Sequence, residues 1–137
     1  HEESGSDIRV NILSFGYKYG IPVDADLVVD CRFISNPHWV PHLRPLTGLD
    51  KSVSDAVLGS DSVMEFLTRY QALFETMALG FISEGRKFLT LAIGCTGGKH
   101  RSVAVAEELV SRLKSGEELS KYKIDTQVMH RDLGREI

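Results

Sequence analysis

The chain has 137 residues, of which 42% are hydrophobic and 26% are charged, and its formal net charge is −3. These values fit one globular domain with a single core and exclude a chain that is basic overall, so any basic binding surface must be local. No apolar run reaches the roughly 18 residues of a transmembrane helix. Two cysteines and no export signal predict free thiols in the cytoplasm, and the histidines lack zinc-like spacing, so no metal site is expected.

The N-terminal part of the chain predicts two strands separated by a turn. Residues 1–7 are expected to be a disordered lead-in or tag remnant, and residues 8–130 are expected to form the folded domain. Apolar and polar residues alternate over residues 8–12, which predicts a strand with one solvent-facing side. The glycine-rich residues 14–20 predict a turn, and the valine-rich residues 27–31 predict a buried strand.

The middle of the chain predicts a long loop and two helices. Residues 32–48 contain three prolines and show no period, so we expect an ordered loop. A short helix is predicted at residues 52–58. Ser62 and Glu65 match a capping box at the start of an amphipathic helix that is expected to end near Leu79.

The C-terminal part completes the predicted fold. Residues 88–93 read as a buried strand, residues 103–113 as a helix, and residues 124–128 as a strand near a sheet edge. The chain is expected to fray from Met129 onward, and residues 131–137 form a polar tail. Buried strands that alternate with helices predict an α/β fold: a single layered domain with a mostly parallel sheet of about four or more strands, flanked by helices. The order of the strands stays open.

A glycine-rich segment, residues 94–102, follows the third predicted strand and leads into a helix. Amides at a helix N-terminus lack partners and attract anions, and Gly97 and Gly98 allow successive amides to converge. Residues 99–101 add Lys, His and Arg, which together predict a phosphate site. If His100 is cationic, affinity should fall as the pH rises through the imidazole range.

The spacing within this segment excludes a nucleotide P-loop. Only three residues separate Gly94 from Gly98, whereas a P-loop has four, and His100 stands where the metal-binding hydroxyl would be. The dinucleotide-binding fingerprint also fails on its glycine spacing.

A second pattern matches cysteine-dependent phosphatases. Cys95, five intervening residues, Arg101 and Ser102 reproduce the Cys-x5-Arg-Ser arrangement, in which a thiolate attacks phosphorus. Gly94, however, stands where those enzymes have a histidine, and a general acid is also needed. The available aspartates are Asp50 and Asp61. Phosphatase chemistry is therefore the alternative to simple binding.

Other polar residues are expected to converge on the glycine-rich segment. Two buried strands end near residues 31 and 93, and ligands bind beyond the carboxyl ends of parallel strands. The residues expected at this rim are Lys18, Arg32, Asn36, His38 and Arg44. Their structural alternatives are packing of His38 on Trp39, an ion pair of Arg32 with Asp30 or Asp26, and solvent exposure of Lys18 and Arg44.

Several segments together resemble the C-terminal domain of the RapZ/YvcJ proteins. They are residues 15–22 (FGYKYGIP), 24–26 (DAD), 32–33 (RF), 36–39 (NPHW), 43–48 (LRPLTG) and 92–103 (AIGCTGGKHRSV). The likeness covers nearly the whole chain after Asp7, and residues 130–136 are similar to the actinobacterial branch.

The resemblance implies a regulatory, non-catalytic domain of an RNase adapter-type protein. It implies binding of glucosamine-6-phosphate, and in the enterobacterial branch binding of small regulatory RNA that is presented to a ribonuclease, in control of amino-sugar synthesis. Longer members carry a P-loop domain for ATP or GTP, no cofactor is implied here, and a homo-oligomer is implied for the full-length protein. The implied phosphosugar residues are Arg32, His38, Thr96, Gly97, Gly98, His100 and Arg101. The implied RNA-binding residues are Lys18, Arg44, Lys99 and Arg101.

One departure from the family concerns the tail. The enterobacterial members end in a strongly basic tail, whereas this chain carries Asp132 and Glu136 among its arginines. Because phosphate contacts dominate RNA affinity, these acidic residues argue against tight RNA binding.

Overall fold

The structure, a computed structural model, describes residues 6–116 and 122–135. Its strands are β1 (Ile8–Gly16), β2 (Leu27–Asp30), β3 (Phe88–Cys95) and β4 (Ile124–His130), and its α-helices are α1 (Lys51–Leu58), α2 (Asp61–Ser83) and α3 (Arg101–Gly116). Two short 3-10 turns occupy Tyr17–Tyr19 and Pro37–Trp39. Most of the predicted lead-in (residues 1–5) and the end of the tail (residues 136–137) lie outside the described residues.

The four strands form one sheet in the order β2-β3-β1-β4, and every neighbouring pair is parallel. This confirms the predicted α/β fold with a parallel sheet, and it confirms the edge position of the last strand. The prediction that β2 is a buried strand is wrong, because β2 forms the other edge of the sheet and leaves Val28 and Asp30 exposed. Parallel order places the carboxyl ends of β1, β2 and β3 on the same side of the sheet. The segments that follow these three strands therefore meet at one rim.

The helices pack on one face of the sheet. Alternate residues of the two central strands belong to a core cluster that also contains apolar residues from all three helices. The strand residues in this cluster are Ile8, Val10, Ile12, Leu89, Leu91 and Ile93. On the opposite face, the described part of the chain leaves Val28, Phe88 and Met129 exposed.

β1 extends further than the sequence predicts. Ser14 and Phe15, which were expected in a turn, pair with Ile93 and Gly94 of β3 and are fully buried. Pairing with two neighbouring strands outweighs the local preference of the glycine-rich sequence for a turn.

The start and the end of α2 also differ from the prediction. Its N-cap is Ser60, whose Oγ accepts a hydrogen bond from the amide of Val63 at 3.3 Å, so the predicted capping box at Ser62 is wrong. The helix continues past Gly80 to Ser83 because Phe81 and Ile82 still pack against the core. Tertiary packing thus offsets the low helix propensity of glycine.

Candidate phosphate-binding site

The glycine loop, residues 96–100, connects the end of β3 to the start of α3. Gly98 has φ +76°, a conformation that side chains disfavour. Gly16, the last residue of β1, lies so close that an added Cβ would be 2.4 Å from the carbonyl carbon of Gly97. The loop therefore requires glycine at Gly98 and at Gly16, which the loop contacts.

The hydrogen bonds of the glycine loop leave its amides available. The carbonyl oxygens of Thr96, Lys99 and His100 accept from the amides of Lys18 (3.2 Å), Gly48 (2.9 Å) and Ala104 (3.1 Å). In contrast, no hydrogen bond among the described residues is donated by the amides of residues 97–100. The loop therefore has carbonyl oxygens that already accept hydrogen bonds and amide groups that donate none. Such a cluster of unused donors is what an anion site requires.

A cavity of about 300 Å³ opens beside this loop. It is lined by Lys18, Asn36, His38, Trp39, Arg44, Cys95, Thr96, Gly97, Lys99, His100 and Arg101. Four of these lining residues are Lys or Arg, and none is Asp or Glu. The cavity is therefore suited to an anion, and its volume lies at the lower end of the range for small-molecule sites.

The structure brings most of the predicted site residues together. Of the predicted phosphosugar residues, His38, Thr96, Gly97, His100 and Arg101 line the cavity. All four predicted RNA-binding residues line it as well. Arg32 and Gly98 are not in the lining, whereas Trp39 is and was not predicted to bind a ligand.

Arg101 is largely buried and connects two loops. Its Nη1 donates to the carbonyl oxygens of Arg32 and Ile34, each at 3.0 Å, and its Nη2 donates to Thr96 Oγ1 at 3.1 Å. A guanidinium has five N–H groups, so these contacts leave donors for a ligand. Arg101 thus ties the segment after β2 to the glycine loop and also contributes charge to the cavity.

Arg32 has the structural partner that the sequence offered as an alternative. Its Nη2 lies 2.7 Å from Asp30 Oδ2, and its guanidinium lies 3.8 Å from the ring centre of Tyr17. Hydrogen bonds from Arg32 hold the pKa of Asp30 below the usual aspartate value. Asp26, the other candidate partner, pairs instead with Arg86 at 2.9 Å.

His38 has the ring contact that the sequence offered as an alternative, and it also lines the cavity. Its ring is edge-on to Trp39, with the centroids 5.0 Å apart. Arg44 Nε donates to the carbonyl oxygen of His38 at 2.6 Å. Arg44 therefore makes a specific contact rather than being only a solvated charge.

The surroundings of His100 favour its neutral form. Burial lowers its pKa below the ordinary histidine value, and the nearby charge of Lys99 acts in the same direction. Nε2 lies 3.1 Å from the carbonyl oxygen of Arg44, which can only accept, so Nε2 carries the proton. His100 therefore fastens the loop after β2 to the glycine loop.

This environment predicts a pH-dependent stability. The folded-state pKa of His100 lies below the unfolded value of about 6.5, so the unfolded state binds more protons as the pH falls. The contribution of His100 to stability is complete above that value and is lost below it. We expect His100→Gln, which can still donate but cannot titrate, to lose less thermal stability than the wild type between neutral and mildly acidic pH. Parallel curves for both proteins would contradict this.

The cysteine of the phosphatase-like pattern is buried at the end of β3. Cys95 is 2% exposed, and its Sγ donates to Ser102 Oγ at 3.1 Å. The two candidate acids, Asp50 and Asp61, do not line the cavity. Cys31 is also a buried free thiol, and burial raises its pKa to about 12. The cavity therefore contains the candidate nucleophile, Cys95, but no carboxylic acid in its lining that could act as the general acid of phosphate-ester hydrolysis.

The surroundings of Gly94 leave no room for the histidine that cysteine-dependent phosphatases have at this position. An added Cβ would lie 2.4 Å from the Phe15 ring and 2.6 Å from the Tyr17 ring. These two rings pack together with centroids 4.8 Å apart, so no side chain fits there.

The C-terminal segment contacts Gly16 beside the glycine loop, and the prediction that the chain frays from Met129 is wrong for residues 129–135. Asp132 is fully buried, and its Oδ2 accepts from the amide of Gly16 at 2.7 Å. The carboxylate of Asp132 pairs with Arg131 at 2.8 Å and with Arg135 at 3.4 Å. The Cβ of Asp132 lies 3.0 Å from the position that a Cβ on Gly98 would occupy. Asp132 is therefore a structural residue rather than a surface charge that repels RNA. Glu136 lies outside the described residues.

Comparison with known proteins identifies the family. A family model for the RapZ C-terminal domain matches residues 8–134. The chain belongs to the RapZ C-terminal domain family. The resemblance predicted from the sequence is therefore confirmed.

Similar proteins of this family come from actinobacteria, as predicted. A nucleotide-binding protein of Streptomyces griseus is 53% identical over 134 residues, which are 98% of this chain and 39% of that protein. Another from Acidothermus cellulolyticus is 56% identical over 129 residues, which are 94% of this chain and 41% of that protein. The RapZ-type domain described here thus spans about two fifths of the length of these relatives.

Within residues 6–116 and 122–135, no helix has both the length and the apolar character needed to cross a bilayer. The same residues contain no group of three or more His, Cys, Asp or Glu side chains that is suited to a metal ion.

Proposed function

We propose that this domain is a regulatory sensor that binds a phosphorylated amino sugar, such as glucosamine-6-phosphate, in the cavity beside the glycine loop. The observation that carries the proposal is the set of undonated amides at residues 97–100, next to a cavity with four cationic residues. Phosphate accepts hydrogen bonds from such amides, and Lys or Arg offsets its charge.

In this proposal, the amides of the glycine loop hold the phosphate, and Lys99 and Arg101 balance its charge. His38 lines the same cavity and is available to contact the sugar. The relatives are named as nucleotide-binding proteins. We assign that activity to the part of those proteins that this chain does not span, because the glycine spacing here differs from that of a P-loop.

Calorimetry with glucosamine-6-phosphate tests the proposal. Lys99→Ala is a cleaner probe than Arg101→Ala, because Arg101 also holds two backbone carbonyls. We expect the wild type to bind and Lys99→Ala to bind roughly tenfold more weakly, as for loss of one charged contact. The matched control is Lys51→Ala, which removes an exposed lysine that pairs with Asp55 on α1.

Two outcomes would contradict the proposal. The first is no binding by the wild type, and the second is equal affinity of the Lys99→Ala and Lys51→Ala variants. Turnover of an aryl phosphate that Cys95→Ser abolishes would instead favour the phosphatase alternative.

A second proposed ligand is RNA, at the rim of the same cavity. The side chains of Lys18, Arg44 and Lys99 line this rim. Arg131 and Arg135 extend it, since Arg131 donates to the Gly20 carbonyl at 2.7 Å and Arg135 lies 4.8 Å from the Tyr19 ring centre. Because Asp132 is buried, the guanidinium groups of Arg131 and Arg135 are the charged groups that residues 131–135 present at this surface.

RNA binding at this rim predicts a strong dependence on salt. In gel shifts with structured RNA, the logarithm of the affinity should fall linearly with the logarithm of the salt concentration, in proportion to the phosphates contacted. Arg44→Ala should reduce the slope by roughly one. Absence of binding at low salt, or an unchanged slope in Arg44→Ala, would remove RNA from this proposal.

A further inference from the structure

Trp39 is an exposed aromatic side chain in the wall of the cavity. It is 73% exposed, although large aromatic side chains usually bury most of their surface. The other lining residues are polar, cationic, sulfur-containing or glycine, so Trp39 supplies the extended apolar plane of the wall.

The turn that carries Trp39 is held firmly. Asn36 Oδ1 accepts from the amide of His38 at 3.0 Å, and the amide of Trp39 donates to the Asn36 carbonyl at 3.1 Å. Pro37, the first residue of the turn, is buried. These contacts hold the backbone that carries Trp39, and the edge-on ring of His38 packs against the indole, which reduces the entropy lost when a ligand binds.

We propose, building on the phosphosugar function above, that the Trp39 indole is the stacking platform for the ring of a sugar phosphate. One face of a pyranose presents axial C–H groups, which pack against an aromatic plane, while its hydroxyl groups point to the polar wall. Trp39 would then make the site select phosphates that carry a ring over phosphate alone. The small volume of the cavity favours a phosphate with one sugar ring.

The proposal separates ligands by structure rather than by charge. Glucosamine-6-phosphate and glucose-6-phosphate carry a ring, whereas glycerol-3-phosphate and inorganic phosphate provide the same anion without one. We expect Trp39→Ala to weaken binding of the two hexose phosphates roughly tenfold, in line with loss of one aromatic contact, and to leave the other two within about twofold. Trp39→Phe should retain most of the affinity.

The chain offers a direct signal and a matched control. Trp39 is the single tryptophan of the sequence, so its fluorescence should shift to shorter wavelength when a ring covers it and should change little with glycerol-3-phosphate. Phe33→Ala is the control. Phe33 lies, like Trp39, in the segment that follows β2, and it is 59% exposed but does not line the cavity.

The outcomes distinguish this proposal from the function on which it rests. If the wild type binds all four phosphates and Trp39→Ala weakens none or all of them equally, the stacking role is wrong while the phosphate site stands. If Trp39→Ala impairs only RNA binding, Trp39 contacts a nucleobase instead. If the wild type binds no phosphate compound, both proposals are wrong.

Discussion

Replacing Gly98 with alanine is expected to abolish phosphate binding and to lower the free energy of unfolding by about 3 kcal/mol. The new Cβ would adopt an unfavourable φ of +76° and would lie 2.7 Å from the amide nitrogen of Gly16 and 3.0 Å from the Cβ of Asp132. Because these neighbours are backbone and a buried side chain, the loop itself must move. The amides beside the cavity would then change their positions.

The matched control for this substitution is Gly85→Ala. Gly85 has a similar φ of +84°, but an added Cβ would meet nothing within 4 Å, and it lies in the turn after α2. We expect a loss of about 1 kcal/mol from backbone strain and unchanged phosphate affinity. Denaturant unfolding and calorimetry at low temperature, where both variants are folded, measure the two effects separately. Wild-type affinity in Gly98→Ala would show that the loop conformation does not determine binding.

Replacing Asp132 with alanine is expected to have the second largest effect. It removes the acceptor of the Gly16 amide and the partner of Arg131, and we expect a loss of about 2 kcal/mol. The arginines are partly exposed and can return to solvent, so the ion pairs contribute less than a buried pair would. Phosphate affinity should fall as well, since Gly16 contacts the glycine loop.

Asp132→Asn separates the charge of this residue from its hydrogen bond. Burial alone would raise the pKa of Asp132, but hydrogen bonds from Arg131 and Gly16 hold the pKa below the usual aspartate value. The stabilisation is therefore present above the unfolded pKa of about 3.9 and is lost as the pH falls further. The stability difference between the wild type and Asp132→Asn should shrink below about pH 4. A constant difference across that range would contradict the role of the ionised carboxylate.

The sequence predicts the parts of the fold that depend on local patterns. The apolar runs of β2 and β3 and the period of α2 are visible in short windows, and they fix the α/β class. The end of β1 was missed because Ser14 and Phe15 are buried only through pairing with other strands. The cap of α2 was misplaced by two residues because Ser62 has a glutamate three positions on, as a capping box requires, whereas Ser60, the observed cap, has Val63 there.

The candidate site was predictable where the residues adjoin in sequence. The glycine loop and its basic residues are one continuous segment, so their position at the end of β3 follows from the sequence. The support of the loop does not, because the bond from Gly16 to Asp132 joins residues 116 positions apart. Likewise, burial lowers the pKa of His100, and this burial comes from residues distant in sequence, so no sequence pattern reveals it.

The central claim is that the amides of the glycine loop bind phosphate, and amide NMR tests it most directly. On titration with glucosamine-6-phosphate, we expect the ¹H–¹⁵N signals of residues 97–100 to move in a saturable way, while that of Gly85 at the far end of α2 stays in place. Saturable movement at residues 97–100 would support the phosphate site, and Gly98→Ala should abolish it. Unchanged signals from residues 97–100 at millimolar ligand would contradict the claim.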